Sequence, residues 1–360
     1  MKKHTLALAI ASSVLASAAG AGQVAEMNGV KYSVGGYIKA EGVFNRPDAD
    51  AANGVTNTFD ATARQSRLNF KTERVVDGHK ITTFIEGDFY GGYFNSSTYD
   101  WRLRHAYMQI DKVTLGQTWN GAFFATAPMD AAQINFWGPG LGTIGGNGGT
   151  VRPNLVMHYT SGPVRISLQD PVNTGAAFPD MVAAYTQRFE GGSGYTVAAV
   201  GRDVAQGDGS NNDDENSVFG GGFSFAGKLG MGDVTLYGSA YTGKGLGVYT
   251  GFGVAGAYGG KNSDAEDGKL VQQTGYTAAV AYQVNEKTKA TIRMAHIGVD
   301  DDADSELNAM NANVIYNYTK GLDLGIEFRK QDVDTLNNTS TLPNLRPKGK
   351  QLEVMAIYKF

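Results

Sequence analysis

Strict two-residue alternation runs to the last residue of the chain: Leu352, Val354, Ala356, Tyr358 and Phe360 fall on one face, Gln351, Glu353 and Lys359 on the other. Two is the period of a strand. The same pattern recurs in Leu322, Leu324, Ile326 and Phe328 against Asp323, Gly325, Glu327 and Arg329, and in Val164, Ile166 and Leu168 against Arg165, Ser167 and Gln169. A strand greasy on one face and charged on the other has two homes: a soluble sandwich, or a closed barrel with lipid outside and water inside.

Counting decides between them. With those three, the candidates are Lys31 to Phe44, Thr62 to Glu73, Lys80 to Phe89, Trp101 to Ile110, Val113 to Thr118, Asn154 to Thr160, Met181 to Phe189, Tyr195 to Arg202, Ser217 to Ala226, Val234 to Tyr241, Thr274 to Val284, Lys287 to Ile297 and Leu307 to Tyr318, sixteen in all. Seven connections are tight turns: Asp77-Gly78, Asp111-Lys112, Ser161 to Pro163, Gly191 to Gly194, Leu229 to Asp233, Asn285-Glu286 and Lys320-Gly321. They alternate with eight longer polar segments, the short-turn and long-loop asymmetry of an outer-membrane barrel. An open edge cannot be satisfied inside lipid, so an even strand number must close on itself. The expected fold is all-β, a closed antiparallel transmembrane β-barrel of about sixteen strands, wide enough for a channel. The 49 glycines, 18 tyrosines and 17 phenylalanines suit strands and tight turns, and the absence of cysteine removes any disulfide scaffold.

The first residues read differently. Lys2 and Lys3 precede the apolar run Thr5 to Ala16 and the small residues Ser17 to Ala21, the order of a secretory signal. Residues 1–21 are therefore expected to be removed, with cleavage after Ala18 or Ala21, leaving 22–360 as the barrel. No later stretch has the roughly 20 uncharged apolar residues of a membrane helix. The aromatic terminus, Tyr358 and Phe360, resembles the signal by which barrels are recognised for outer-membrane assembly. The expected location is the Gram-negative outer membrane.

Between Trp119 and Pro153 the third long loop is apolar and glycine-rich, with Phe123, Phe124, Ile134, Phe136 and Trp137 and almost no charge beyond Asp130 and Arg152. An exposed loop is rarely so greasy. Such a loop suits either an inward fold that narrows the barrel, with Asp130 on the acidic side of a constriction, or a flap between subunits.

Parity puts Lys39, Arg67, Lys71, Lys80, Arg165, Arg188, Arg202, Lys289, Arg293 and Arg329 on the lumen face, with Glu41, Glu73, Glu86, Asp88 and Glu327 as lumenal acids. The net charge of −4 hides a split, because many acids lie in loops, as in Asp213 to Glu215, Asp264 to Asp267 and Asp300 to Asp304. Those loops would bridge cations to lipopolysaccharide or stay solvated. Guanidinium groups in a confined pore attract carboxylates and phosphates, so small anions are the expected solutes. A generic electrostatic ladder with weak selectivity is the alternative. Arg102 and Arg104 break the pattern, since parity with Met108 and Ile110 points both toward lipid; their strand rises above the hydrocarbon, is bulged, or meets another subunit.

Gly36 to Ala40, Gln65 to Leu68, Glu86 to Phe89, Arg102 to Tyr107 and Leu115 to Trp119 together resemble the DcaP-like family of trimeric outer-membrane porins. The resemblance is concentrated in the first third of the chain. It implies a homotrimer whose subunits each pass dicarboxylates and related anions, with Arg67, Arg102 and Arg104 as solute-binding residues. The N-terminal coiled-coil extension that some members carry is not expected here.

Two other classes use the same barrel. An enzyme on a barrel wall needs a nucleophile beside a histidine, and His79, His105, His158 and His296 lie on separate segments without such a motif. A plugged structural or adhesive barrel would use a long loop such as Thr242 to Gln273 to bind a partner. No cofactor, metal or nucleic-acid signature is present.

Overall fold

The computed structural model describes residues 22–48, 57–91, 100–121, 134, 152–171, 176–205, 217–246, 265–266, 269–301, 304, 306–334 and 348–360. The candidate signal and Asp130 lie outside them. In chain order the strands are β1 (Gly22–Met27), β2 (Val30–Pro47), β3 (Thr58–Thr62), β4 (Arg67–Val76), β5 (His79–Gly91), β6 (Asp100–Ile110), β7 (Val113–Gln117), β8 (Val156–Ser161), β9 (Val164–Gln169) and β10 (Asp180–Arg188). There follow β11 (Gly194–Ala205), β12 (Ser217–Met231), β13 (Val234–Lys244), the short pair β14 (Ala265–Glu266) and β15 (Lys269–Leu270), β16 (Gln272–Asn285), β17 (Thr288–Asp300), β18 (Glu306–Thr319), β19 (Leu322–Asp334) and β20 (Gly349–Lys359).

All but β14 and β15 form one sheet of 18 antiparallel strands that closes where β2 pairs with β20. Residues 31–37 and 41–45 of β2 pair with β4 and β3 along one edge, so β1 and β20 must share the other. Two wall positions are thus each filled by two segments, and the barrel has sixteen staves.

Three departures from the sequence reading have physical causes. The first strand is preceded by β1, hairpinned through Asn28 and Gly29 at φ 52 and 72, both left-handed as a two-residue turn of this kind requires. The second expected strand, Thr62 to Glu73, is interrupted at residues 63–66. There Ser66 N donates to the Ala63 carbonyl at 3.0 Å, and Lys39 N donates to Ser66 Oγ at 3.0 Å. The expected turn from Leu229 to Asp233 is tighter, since β12 continues to Met231 and turns at Gly232.

The outer face carries the lipid belt. Ile38, Phe70, Ile85, Leu115, Ile166, Val280, Ile292, Val314, Ile326 and Val354 are all exposed, as apolar groups solvated by lipid rather than water. Aromatic residues edge it: Phe44, Phe59, Trp101, Phe219 and Phe328 toward the loops, Phe189, Tyr282, Tyr318, Tyr358 and Phe360 toward the turns. On the turn side Asp111 accepts from His79 Nδ1 at 2.7 Å and from Lys80 N at 3.0 Å. Those two bonds hold its carboxyl below the ordinary value.

The wall is not of even height. Strands β7, β8 and β9 have 5, 6 and 6 residues, whereas β16 to β19 have 14, 13, 14 and 13. The short staves span roughly 17–20 Å, less than an apolar band of about 25 Å. This low side carries the third loop.

Candidate constriction site

The third loop leaves β7 under restraint. Thr118 Oγ1 lies 3.1 Å from His105 Nδ1, the Trp119 carbonyl lies 3.0 Å from His158 Nε2, and Gly121 N donates to Gln169 Oε1 at 2.9 Å. At the return, the Arg152 guanidinium sits over the Trp119 ring, 5.5 Å from its centroid. Of the residues between, Ile134 is described, and it lies in the lumen. Its N–H donates to Glu327 Oε2 at 3.2 Å, its carbonyl accepts from Lys39 Nζ at 2.5 Å, and its side chain covers Gly325, where a Cβ would come within 2.9 Å of Cδ1. At this residue the loop folds inward, as its composition implied.

Arg102 and Arg104 both face the lumen. The register between β5 and β6 shifts after Glu86, which pairs with His105 while Gly87 pairs with Leu103. Arg104 is the extra residue of a β-bulge, and the bulge exchanges the two faces. Below it His105 points inward with Tyr107, and above it Arg102 and Arg104 do. Gly87 makes room on the lipid side: a Cβ there would lie 2.1 Å from the Trp101 ring, which packs across the strand onto Phe89 at 5.4 Å between centroids. Parity read straight through this strand points the two arginines toward lipid; of the three alternatives, the bulge is the one present.

These side chains form one cluster. Asp88 accepts a bidentate pair from Arg102, Nε to Oδ1 at 2.9 Å and Nη2 to Oδ2 at 2.7 Å, and Arg104 Nη1 reaches the same Oδ2 at 3.1 Å. Arg104 Nε donates to Glu86 Oε1 at 3.0 Å, with Arg67 Nη1 at 3.8 Å from that oxygen. Arg67 lies over the Tyr37 ring at 5.2 Å, placed by Gly36, whose Cβ would come 2.2 Å from the Arg67 carbonyl. Arg152 brings a fourth guanidinium. Burial first, then the charges of Arg104, Arg102 and Arg67, push the pKa of this loop residue well below the ordinary guanidinium value. Three guanidiniums thus engage two carboxylates, and Arg152, on the Trp119 ring, lies near enough to feel their charge. Tyr37 Oη and both amide atoms of Asn69 are buried beside them without a hydrogen-bond partner among the described residues.

The other expected cations are lumenal but differently engaged. Lys39 pairs with Glu41 at 2.9 Å and donates to Gln65 Oε1 at 2.6 Å besides holding Ile134. Arg329 Nη2 donates to Glu327 Oε1 at 2.9 Å, and Asn311 and Asn313 donate to Oε2 of the same glutamate at 3.2 and 2.9 Å. Both serve a frame that seats the third loop. Arg202, fully buried, donates to the Gly245 carbonyl at 2.6 Å, the Pro171 carbonyl at 3.3 Å and Asp180 Oδ1 at 3.5 Å, so it fastens strand ends to loops. Arg165 donates to Thr160 Oγ1 at 3.1 Å on the low wall, and Arg293 is buried on the inner face of β17.

Away from Arg202, Asp180 and Arg293, the opposite lumen wall has an apolar stretch. Along one cross-strand row, Ala184, Ala198, Ser224, Tyr241, Gly275, Ile297 and Leu307 follow one another from β10 to β18. Tyr241 lies over Gly275, and Val182 and Val200 pack beside the row. Periodicity missed this half, although the runs in Met181 to Tyr185, Tyr195 to Val200 and Thr277 to Ala281 are apolar on both faces.

A histidine beside a serine does occur: His158 Nδ1 lies 2.7 Å from Ser167 Oγ. The other ring nitrogen meets the Trp119 carbonyl rather than a carboxylate, and both residues are buried, so the pair braces the loop base.

No protein-family model and no curated relative matches the chain. Among solved structures it is similar to the outer-membrane channel DcaP of Acinetobacter baumannii, with a TM-score of 0.73 and 19% identity, covering 93% of this chain and 99% of that one. It is also similar to the in-vitro folded trimer form of OmpT, an outer-membrane protein of Vibrio cholerae, with a TM-score of 0.61, 12% identity and coverages of 92% and 100%. OmpF of Salmonella typhi, solved with daunomycin, has a TM-score of 0.57, 13% identity and coverages of 92% and 98%. The fold implied by the motifs of the first third is therefore that of the chain as a whole, a closed sixteen-stranded antiparallel barrel shared with the DcaP channel.

Proposed function

We propose that this protein is an outer-membrane porin for small hydrophilic solutes that favours anions, dicarboxylates among them, and that it works as a homotrimer. The observation that carries the solute class is the excess of guanidinium over carboxylate where Arg67, Arg102, Arg104 and Arg152 meet Glu86 and Asp88 at the base of the third loop. A second carboxylate pair entering among four guanidiniums would relieve their mutual repulsion, in the planar geometry arginine offers. Because Glu86 and Asp88 already hold arginines, the affinity is that of an exchange: solute carboxylates compete with them for the same donors. Passage rather than capture follows, since a channel solute must bind weakly enough to leave. The trimer is favoured by the low wall at β7 to β9, which a neighbouring subunit would cover, and by the trimer form reported for one structural neighbour. Residues 1–21 are proposed to direct export, and no enzymatic reaction is proposed.

Reversal potential across a planar bilayer under a salt gradient, followed by block with succinate or phthalate, tests this reading. Anion selectivity with block is expected. Cation selectivity, or conductance indifferent to dicarboxylates, overturns the solute class and leaves a general porin. A plugged structural or adhesive barrel is the second reading, favoured by the depth at which Arg293, Glu327 and Arg329 are buried, each about 1% exposed. Absence of conductance would establish it.

A further inference from the structure

We infer that the outside of this barrel carries a binding site for a phosphate-bearing lipid of the outer leaflet, made by Arg46, Lys350 and Lys330. Arg46 of β2 is paired with Lys350 of β20, and Lys350 with Lys330 of β19, so the three stand side by side across adjacent strands. All three are exposed, on the parity of the lipid face. Like charges at directly paired positions repel and weaken a sheet. No carboxylate among the described residues lies within ion-pair distance of any of the three; the nearby Asp332 is paired with Lys348 at 3.2 Å.

Depth identifies the source of the missing anion. One step toward the membrane, the row directly beneath is Phe44, Leu352 and Phe328, three exposed members of the belt. The three cations precede or follow the long loops, so they stand at the headgroup level of the outer leaflet, where the snorkelling stems of lysine and arginine can lie on apolar surface. A shallow groove of ≈ 280 Å³ opens beside Lys330, lined by Tyr276, Met294 and Met310 and, at its polar end, by His296, Asn308 and Asp332, whose carboxylate is held by Lys348. The row itself runs from the cations into that groove, because Lys330 pairs with Met310 and Met310 with Met294. Cationic edge and apolar floor together fit a lipid phosphate with its attached chain. A soluble phosphate would have no use for the floor. The site rests on the outer-membrane reading but not on conduction.

The test uses the full-length protein in detergent, titrated with bis-phosphorylated lipid A and followed by native mass spectrometry. The same lipid with its phosphates removed and inorganic phosphate are the comparison ligands. Expected is binding of the phosphorylated lipid that inorganic phosphate does not displace. In R46Q/K330Q/K350Q it should be about a hundredfold weaker, roughly fivefold for each cation at an anionic membrane surface. Equal binding by the variant, equal binding of the dephosphorylated lipid, or displacement by inorganic phosphate would each overturn the lipid site. So would dissociation of the variant's oligomer in lipid-free detergent, which would make the row a subunit contact. The variant's conductance and dicarboxylate block, measured in parallel, should be unchanged; loss of conductance in the unmodified protein would overturn the porin reading alone.

Discussion

The lumen wall has two halves built by different chemistry from the same strand pattern. On β4 to β6, and on β2, β19 and β20, inward positions hold Arg67, Asn69, Glu86, Asp88, Arg104, Lys39, Glu327, Arg329 and Glu353, nearly all in ion pairs or amide networks. On β10 to β13 and β16 to β18 alanine, valine, glycine, Ile297 and Leu307 take many inward positions, with Arg202 and Arg293 as the charged exceptions. In a barrel both faces of a strand can therefore be apolar without either being a protein core. The difference teaches where selectivity and where stability should reside. Charge reaches along a pore of low effective dielectric, so the charged half should govern which ion passes. Dispersion and burial act only at contact, so the apolar half should govern shape and stability alone.

The largest expected effect tests the charged half. Replacing both bulge arginines, R102Q/R104Q, leaves Arg67 and Arg152 against Glu86 and Asp88 and cancels the positive excess. The anion-to-cation permeability ratio should fall by about tenfold or more, as two charges vanish from a confined site, and dicarboxylate block should disappear. An unchanged reversal potential would place the selectivity elsewhere. The converse change, D88N, removes the negative charge shared by three guanidinium hydrogen bonds and turns one of its two acceptor oxygens into an NH2 donor. It should raise anion selectivity while costing about 3–5 kcal/mol, because breaking a buried pair strands charge; heat-modifiability on gels reads the cost and the bilayer reads the gain.

The apolar half should behave in the opposite way. Tyr241→Ala uncovers Gly275 and empties a buried site, so stability should drop by about 3 kcal/mol on the scale of large-to-small core changes. Conductance should rise and the reversal potential should stay where it was. A selectivity shift in this variant would end the division of labour between the halves.

How much of this the residues announced differs between the halves as well. Alternation carried the stave number and the lumen parity of Lys39, Arg67, Arg165 and Arg329, because each is local and periodic, while the greasy composition of the third loop pointed to an inward fold without deciding it against a flap. Arg102 and Arg104 defeated it, since one extra residue at Arg104 reverses every later assignment and no periodicity marks where the extra residue sits; the motif resemblance reached them where parity did not. The Asn28-Gly29 pair carries the residue signature of a two-residue hairpin turn. The apolar wall was legible too, in runs such as Ala278 to Ala281, but it reads as lipid-facing until the neighbours that cover it are known. The anchoring roles of Lys39 and Arg202 were beyond reach, because their partners, Ile134 O and Gly245 O, are backbone atoms of loops.

The smallest effect concerns the seat of the third loop within the charged half, where Ile134 is held by Lys39 from β2 and Glu327 from β19. Lys39→Met keeps the apolar stem of the side chain and removes both its bond to the Ile134 carbonyl and its pair with Glu41. The amide bond to Glu327 and the packing on Gly325 remain, so the loop stays inside but is held by one polar contact instead of two. A single hydrogen bond to a charged donor contributes about 1.5–3 kcal/mol, enough to raise current noise from loop motion but not to release the loop. Open-channel fluctuations should therefore increase, with mean conductance changed by less than about twofold, since that energy bounds the population shift of a loop still packed on its floor. Because the lost charge was matched by Glu41, the selectivity should move slightly toward cations and far less than in R102Q/R104Q. If Lys39→Met instead matched the double arginine variant, the loop seat rather than the bulge would be the selective element.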